Sequence, residues 1–253
     1  MKPSFLNREK PIFTVMLQNR TAEDAIRVIH RAIPEGADAF GLQTEQLLKE
    51  YRSEDSYRKI FAEMEGRPSY ITNYRHTANE GLDDDAVAEG MLMAARAGGT
   101  LIDVMGDMFC RHPEEMTENP AAIDRQKKLI DRIHELGAEV LMSAHVCKYT
   151  CAEKVLEYAQ EQVRRGADVV KIVTHANDME QQAENLKTTE MLKRELKAPF
   201  LFLSGGECRL HRRIGPMLGC CMWLCVYEHD ELATPAQPVL RNLKAMTEQF
   251  EKE

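Results

Sequence analysis

The sequence predicts a single α/β domain in which eight strand–helix units close into a (β/α)8 barrel. Three observations carry this prediction: a length of 253 residues, eight short apolar segments rich in β-branched residues, and helical patterns between most of them. Alternating strands and helices imply a parallel sheet covered by helices, and eight such units most often form a closed barrel. A doubly wound open sheet is the main alternative.

The eight predicted strands are short, and some are apolar along nearly their whole length. Such continuous apolar runs are typical of parallel strands that are buried on both faces. The predicted strands are Pro11–Leu17, Ala37–Gln43, Pro68–Tyr74, Thr100–Met105, Glu139–His145, Asp168–Thr174, Pro199–Gly205 and Cys220–Val226.

Six helices are predicted from the periodicity of apolar residues. They are Ala22–Ile33, Asp84–Ala97, Ala121–Leu136, Ala152–Arg165, Met179–Leu196 and Pro238–Glu251. Glycine stands at several helix ends directly before a strand, as in Gly36-Ala37-Asp38 and Gly166-Ala167-Asp168, because it readily adopts the left-handed conformation that ends a helix. No linker, charge block or tandem repeat divides the chain, so residues 1–253 are predicted to form one barrel domain.

Charge and composition argue against several classes of protein. A net charge of -8 disfavours general binding to nucleic acid or to an anionic membrane surface. No segment approaches the roughly 20 apolar residues of a membrane span, and Met1 to Glu9 lacks the apolar core of a signal peptide. Seven cysteines without zinc-like spacing predict free thiols and no metal site. We therefore expect a cytoplasmic protein, with a homodimer as the commonest assembly.

Lys171 stands in the middle of the apolar segment Asp168-Val169-Val170-Lys171-Ile172-Val173, where an unpaired ammonium would be costly to bury. One explanation is a lysine whose pKa is lowered by burial, so that its neutral amine can attack a ketone and form a Schiff base. The other is a buried ion pair with a carboxylate on a neighbouring strand. The strand alone does not decide between them.

His145 ends the preceding predicted strand, so in a barrel it would lie beside Lys171 at the carboxyl ends of the strands. Histidine can take a proton from carbon and return it to a leaving hydroxyl near neutral pH, as an iminium-assisted elimination requires. A single histidine at a strand end is more often a hydrogen-bonded core residue. Its expected proximity to Lys171 favours the catalytic role.

These strands and their surroundings resemble the type I 3-dehydroquinate dehydratase family. The most specific matches are the lysine strand, Gly166-Ala167-Asp168-Val169-Val170-Lys171-Ile172, and the histidine that ends the strand before it. The resemblance extends over most of the chain. It includes Gly36-Ala37-Asp38, the loop from Arg75 to Glu80-Gly81, the region of Arg212, Gly215 and Gly219, and the loop Ala233-Thr234-Pro235-Ala236-Gln237.

The resemblance implies a lyase that dehydrates 3-dehydroquinate to 3-dehydroshikimate by cis elimination and needs no cofactor. Lys171 would form the Schiff base, and His145 would remove the C2 proton and assist loss of the C1 hydroxyl. Glu80 would help to position His145. The positions implied to bind this small anionic keto acid are Arg75, Arg212, Gln237 and Gln43.

The residues that would recognise the substrate depart from the family pattern. The family carries Glu-x-Arg at the end of the second strand, where this chain has Gly41-Leu42-Gln43, and Ala233 replaces a loop serine. Glu45 is a nearby carboxylate that could substitute. Lost hydrogen bonds to a substrate cost on the order of a few kcal/mol each, which can change specificity. Two alternatives therefore stay open: another Schiff-base lyase or aldolase on a different keto substrate, and a noncatalytic barrel.

Overall fold

A computed structural model describes residues 2–6 and 8–250 of the chain. In these residues eight strands alternate with eight helices, which confirms the predicted (β/α)8 architecture, also called a TIM barrel. The strands are β1 (Ile12–Leu17), β2 (Ala39–Gln43), β3 (Ser69–Thr72), β4 (Leu101–Met105), β5 (Glu139–His145), β6 (Val169–His175), β7 (Phe200–Gly205) and β8 (Met222–Cys225). The helices are α1 (Ala22–Ala32), α2 (Glu54–Ala62), α3 (Asp84–Arg96), α4 (Pro120–Glu135), α5 (Ala152–Arg165), α6 (Met179–Glu195), α7 (His211–Leu218) and α8 (Leu240–Phe250).

All strand pairs are parallel, and the sheet runs in the order β7-β6-β5-β4-β3-β2-β1-β8. β1 pairs with both β2 and β8, so the sheet curls round on itself. A backbone hydrogen bond of 2.8 Å from Cys221 N to the oxygen of Phe200 links its two ends. The sheet is therefore a barrel and not the open, doubly wound alternative.

Each of the eight predicted strands is present, with ends that differ by at most two residues. The six predicted helices are also present, although Glu251 of the last one lies outside the described residues. The sequence prediction lacked α2 and α7. α7 is short, and Gly215 and Pro216 within it are poor helix formers, so its helical periodicity is weak. No helix within the described part of the chain is long and apolar enough to cross a bilayer.

The barrel interior is filled by side chains from alternate positions of the strands, because residues two apart on a strand share a face. Its apolar members are Phe5, Ile12, Met16, Ala39, Tyr70, Leu101, Leu141, Val169, Val173, Leu201, Leu203, Met222 and Leu224. Lys171 lies between Val169 and Val173 and therefore points into this interior. Two larger apolar clusters fill the space between the sheet and the helices.

Candidate active site

The amine of Lys171 lies at the centre of a buried polar cluster inside the barrel. Its Nζ donates hydrogen bonds to the hydroxyls of Tyr70 at 2.9 Å and Tyr74 at 2.6 Å. It also pairs with Oδ2 of Asp103 on β4 at 3.2 Å. Lys171 is 4% exposed and Asp103 is fully buried. Lys171 therefore forms a buried ion pair, but its partner is two strands away and not on the neighbouring strand considered from the sequence, and the amine nevertheless borders a cavity.

Asp103 accepts hydrogen bonds at both of its oxygens. Oδ1 accepts from the hydroxyl of Ser143 at 2.6 Å, and Oδ2 accepts from the hydroxyls of Tyr70 and Tyr74. Burial raises the pKa values of both tyrosines well above their usual range, and the negative charge of Asp103 raises them further. Both phenols are therefore neutral donors near neutral pH. We call Lys171, Tyr70, Tyr74, Asp103 and Ser143 the lysine cluster.

His145 is held in place by Glu115, which lies in the loop between β4 and α4. Oε2 of Glu115 lies 2.7 Å from His145 Nδ1 and accepts a hydrogen bond of 2.8 Å from the backbone N of His145. Burial tends to raise the pKa of Glu115, but the hydrogen bonds and charge of His145 outweigh it, so the pKa lies below its usual value. With Nδ1 paired to a carboxylate, Nε2 is the nitrogen left for proton exchange.

A buried arginine supports the loop that carries Glu115. Arg165 on α5 is 4% exposed, and its guanidinium donates to the backbone oxygens of Gly106 at 2.9 Å and Thr117 at 2.7 Å. These oxygens lie on either side of Glu115 in the sequence. Glu115 itself has a positive φ of 48°. This backbone conformation is uncommon for a residue other than glycine. The hydrogen bonds from Arg165 hold the loop on both sides of Glu115, and such surrounding contacts can stabilise it.

A cavity of about 160 Å³ opens above the lysine cluster at the carboxyl ends of the strands. Lys171, His145 and Arg212 all line it. Nε of Arg212 donates to the backbone oxygen of Ser204 at 3.1 Å, and burial lowers the pKa of the guanidinium. Arg212 forms no ion pair with any residue in the described ranges. A buried guanidinium without a carboxylate partner is suited to bind an anionic ligand.

Three polar side chains connect β1, β2 and the loop before α8 at the rim of the cavity. Nε2 of Gln18 donates to Oε1 of Gln43 at 3.0 Å and to the hydroxyl of Thr234 at 2.7 Å. The backbone N of Thr234 donates back to Oε1 of Gln18 at 2.9 Å. Gln237 lines the same cavity, and its Oε1 is buried without a partner among the residues described. Amide groups therefore offer hydrogen bonds along this side.

Two of the expected site residues lie elsewhere. Arg75 forms ion pairs with Asp84 at 2.7 Å and Asp107 at 2.6 Å, outside the cavity lining. The alternation of side chains continues past the end of β3, since Tyr70, Thr72 and Tyr74 all line the cavity, and Arg75 therefore points away from it. Glu80 is exposed, and the carboxylate at His145 is Glu115 instead.

The wall at β2 is apolar where the family pattern has a carboxylate. A Cβ atom added to Gly41 would overlap the Met16 sulfur and would lie 2.7 Å from Met16 Cε, so Met16 fills this space. Glu45 is fully buried behind Thr72, whose hydroxyl donates to its carboxylate at 3.0 Å. Burial raises the pKa of Glu45 to about 7. Glu45 does not line the cavity, so it does not replace the missing carboxylate there.

Sequence reasoning missed Tyr70, Tyr74, Asp103 and Glu115. Asp103 carries the same signal as Lys171, because it is a charged residue in the middle of the apolar strand Leu101–Met105. A search among the strand residues for a counter-ion of Lys171 would have found Asp103. Glu115 carries no such signal, since it lies in a loop whose path only the folded chain defines.

Comparison with known proteins gives a consistent family assignment. A family model described as type I 3-dehydroquinase matches residues 13–253. A curated 3-dehydroquinate dehydratase from Alkaliphilus oremlandii is 34% identical over 86 residues, which is 33% of this chain and 34% of that protein. The match therefore spans about a third of that relative's length.

Solved structures with this fold include two similar chains. One is the type I 3-dehydroquinate dehydratase from Clostridium difficile with covalently modified comenic acid, with a TM-score of 0.80, 16% identity, and coverage of 97% of this chain and 94% of that chain. Another is the 3-dehydroquinate dehydratase from Geobacillus kaustophilus, with a TM-score of 0.78, 16% identity, and coverage of 96% and 92%. At this identity, these likenesses establish the shared barrel fold.

Proposed function

Because the chain belongs to the type I 3-dehydroquinase family, we propose that it is a lyase that converts 3-dehydroquinate to 3-dehydroshikimate through a Schiff base on Lys171. The observation that carries this proposal is the arrangement around one cavity. A buried lysine amine, a histidine paired with a carboxylate and an arginine without a counter-ion among the described residues all line it.

The proposed reaction begins with Lys171 as the ammonium that pairs with Asp103. Its nitrogen bonds the ketone carbon and passes two protons to the ketone oxygen, so that water leaves and an iminium ion remains. The iminium draws electrons from the neighbouring carbon and so acidifies its C–H bond. Nε2 of His145 removes the C2 proton, which gives an enamine. His145 then returns a proton to the departing C1 hydroxyl, and hydrolysis of the new iminium releases the product and restores the lysine.

The charged groups of the site support these steps. Asp103 is 3.2 Å from Lys171 Nζ and would remain paired with the positive nitrogen of the iminium. Arg212 would bind the substrate carboxylate, since its guanidinium is buried and has no ion pair among the described residues. Gln237 and Gln43 would hydrogen-bond the hydroxyls. The proposed reaction needs these side chains together with Lys171, His145 and water, and no cofactor.

Borohydride trapping tests the proposal. The protein is incubated with 3-dehydroquinate and borohydride, and intact mass with peptide mapping locates the adduct. We expect a reduced adduct on Lys171, and Lys171→Ala should lose both the adduct and turnover. Lys187→Ala is the matched control, because Lys187 lies on α6 in ion pairs with Glu153 and Glu184. An adduct on another lysine, or none, would contradict the proposal.

A second candidate is a related Schiff-base lyase or aldolase that acts on a keto acid with fewer hydroxyls. The observation that favours it is the apolar wall where Met16 occupies the space over Gly41. A triple variant, Met16→Ala, Gly41→Glu and Gln43→Arg, makes room for the family pair. If the substrate specificity of this protein has moved away from 3-dehydroquinate, the triple variant should gain activity on 3-dehydroquinate. No gain in a folded variant would count against the second candidate.

The proposed enzyme is a cytoplasmic homodimer. It binds a small anionic keto acid as its substrate and does not bind nucleic acid. The net charge of -8 supports the last point, and two-fold dimers are the commonest assemblies of soluble enzymes. Size-exclusion chromatography with light scattering measures the assembly. A mass near 28.9 kDa would indicate a monomer and contradict the proposed dimer.

A further inference from the structure

The two tyrosines at Lys171 occupy different levels of the barrel. Tyr70 is fully buried and pairs in register with Leu101, the first residue of β4. Tyr74 lies two residues beyond the end of β3, is 8% exposed, and packs its ring edge-on against His145 with 5.1 Å between centroids. The Tyr74 side chain therefore contacts both the lysine amine and the histidine ring, and it lines the cavity that a substrate would enter.

Schiff-base formation requires protons to move at this point. A lysine ammonium carries three protons, and the iminium nitrogen keeps only one of them. The other two must reach the carbonyl oxygen, which leaves as water. Lys171 Nζ and the tyrosine hydroxyls lie in a buried site, so proton transfer through bulk water is restricted. The group that mediates the proton transfer must therefore contact both Nζ and the carbonyl oxygen of the substrate.

The Tyr74 hydroxyl contacts the nitrogen that must lose protons, and the Tyr74 side chain lines the cavity in which the substrate carbonyl would lie. It accepts a hydrogen bond from Lys171 Nζ at 2.6 Å and donates its own proton to Asp103. Burial, followed by the charge of Asp103, raises the pKa of Tyr74 well above its usual range, so the phenol stays protonated between reactions. With substrate bound, the Tyr74 hydroxyl would turn from Asp103 to the carbonyl oxygen, and a hydroxyl that accepts one proton while donating another transfers it without becoming charged.

We propose that Tyr74 is a further catalytic residue, which transfers protons from Lys171 Nζ to the carbonyl oxygen of the substrate while the Schiff base forms. This inference rests on the proposed Schiff-base function. The C–N bond forms as the first proton passes through the Tyr74 hydroxyl to the oxygen, which gives a carbinolamine. The C–O bond breaks as the second proton follows, and water leaves.

The step is balanced in atoms and charge. One ammonium and one ketone give one protonated imine and one water, and the phenol ends as it began. The positive charge stays on Nζ throughout, so it stays paired with Asp103. Tyr70 contacts the same Nζ at 2.9 Å, but it lies deeper in the barrel, so we assign it to holding Asp103 and not to the transfer.

The rate of adduct formation tests this role. Rapid mixing with 3-dehydroquinate, and in parallel with pyruvate, is followed by borohydride quenching and mass spectrometry. We expect Tyr74→Phe to slow adduct formation by about 100-fold, the usual scale of a lost proton-transfer group. Tyr74→His restores a group that accepts and donates protons and should recover part of the rate. Binding of quinate, which has no ketone, should not change.

Two controls separate proton transfer from a structural effect. Tyr227→Phe makes the same chemical change outside the cavity, where the Tyr227 hydroxyl donates to Glu35 at 3.0 Å, and it should react like the wild type. Tyr70→Phe should slow adduct formation much less than Tyr74→Phe. Wild-type rates in Tyr74→Phe, or equal losses in Tyr70→Phe and Tyr74→Phe, would overturn the assignment.

The outcomes for this inference and for the proposed function can be told apart. If the wild type forms an adduct with pyruvate but not with 3-dehydroquinate, the proposed substrate fails and the role of Tyr74 is still measured with pyruvate. If the wild type forms adducts and Tyr74→Phe forms them equally fast, only the role of Tyr74 fails. Absence of any adduct on Lys171 with either keto acid overturns both.

Discussion

At the scale of single residues, the pairing of Lys171 with Asp103 explains how a lysine is tolerated inside the barrel. Both groups are almost completely buried, so each would be costly without the other. The hydroxyls of Tyr70, Tyr74 and Ser143 satisfy the remaining hydrogen bonds of the carboxylate. The charge that the sequence places in an apolar strand is therefore compensated by another charge in the strand two positions along the sheet.

Removal of the cation alone should destabilise the fold. We expect Lys171→Met to lower the free energy of unfolding by about 3–5 kcal/mol, because Asp103 is left as an uncompensated buried charge. Lys171→Met with Asp103→Asn should recover most of this loss. Urea unfolding measures both, with Lys187→Met as the exposed control. Equal stability of the single and double variants would argue against a charged pair.

His145 and Glu115 should differ in how they affect the reaction. We expect His145→Ala to lower kcat by about 100-fold or more while borohydride trapping on Lys171 persists, because the histidine acts after the Schiff base forms. Glu115→Gln should lower kcat less and leave KM and trapping unchanged, since Glu115 positions the ring. Steady-state kinetics and trapping measure this division. Loss of trapping in His145→Ala would contradict it.

Glu45 should make stability depend on pH. Its pKa is raised mainly by burial, from 4.5 to about 7, so the folded protein binds this proton more tightly than the unfolded chain. The stabilising contribution is complete below about pH 4.5 and is lost as the pH rises through about 7. This loss is on the order of 3 kcal/mol, which follows from about 1.4 kcal/mol for each pKa unit.

The variant Glu45→Gln tests this pH dependence, because it keeps the shape without the ionisable proton. Relative to the wild type, its free energy of unfolding should rise by roughly 3 kcal/mol between pH 4.5 and pH 8, again from about 1.4 kcal/mol per unit. Urea unfolding across this range is the measurement. Glu190→Gln, at an exposed position of α6, is the control. Parallel curves for the wild type and Glu45→Gln would refute the assignment.

At the scale of secondary-structure elements, the alternation of side chains along β3 and the residues directly after it decides which residue reaches the active site. Tyr70 and Tyr74 face the interior, so Arg75 faces outward and forms ion pairs with Asp84 and Asp107. If the side-chain alternation were shifted by one residue, Arg75 would lie at the cavity in place of Tyr74. The resemblance to the family implied that Arg75 binds the substrate, whereas in the structure Tyr74 and not Arg75 lines the cavity.

The loop between β8 and α8 is fastened to the barrel by Gln18. This side chain makes two hydrogen bonds with Thr234, so its loss should loosen the loop over the cavity. We expect Gln18→Ala to raise KM several-fold and to increase hydrogen exchange in residues 229–238, while the rate of adduct formation at saturating substrate stays similar. Unchanged exchange in that peptide would show that Gln18 does not hold the loop.

At the scale of the whole molecule, the sequence predicts one cooperative domain. The single tryptophan, Trp223, stacks on Phe13 with 4.5 Å between ring centroids, so its fluorescence reports where β8 meets β1. We expect urea unfolding followed by Trp223 fluorescence and by far-UV circular dichroism to give the same midpoint. Two separate midpoints would indicate independent units and would contradict a single domain.

The barrel, its strands and the two residues at the centre of the proposed chemistry could be predicted from the amino-acid sequence. Apolar strands alternate with amphipathic helices, and this pattern is local, so it is readable without coordinates. Lys171 was conspicuous because a charge in a buried strand is costly, and His145 because it ends the neighbouring strand.

The groups that surround these two residues could be identified only in the folded chain. Glu115 reaches His145 from a loop 30 residues earlier, and Tyr74 reaches Lys171 across 97 residues of sequence. Such contacts depend on strand register and on loop paths, which are set by the packing of the whole barrel and not by local preference. For the same reason the position of Met16 over Gly41, which shapes the proposed substrate site, could be seen only in the folded chain.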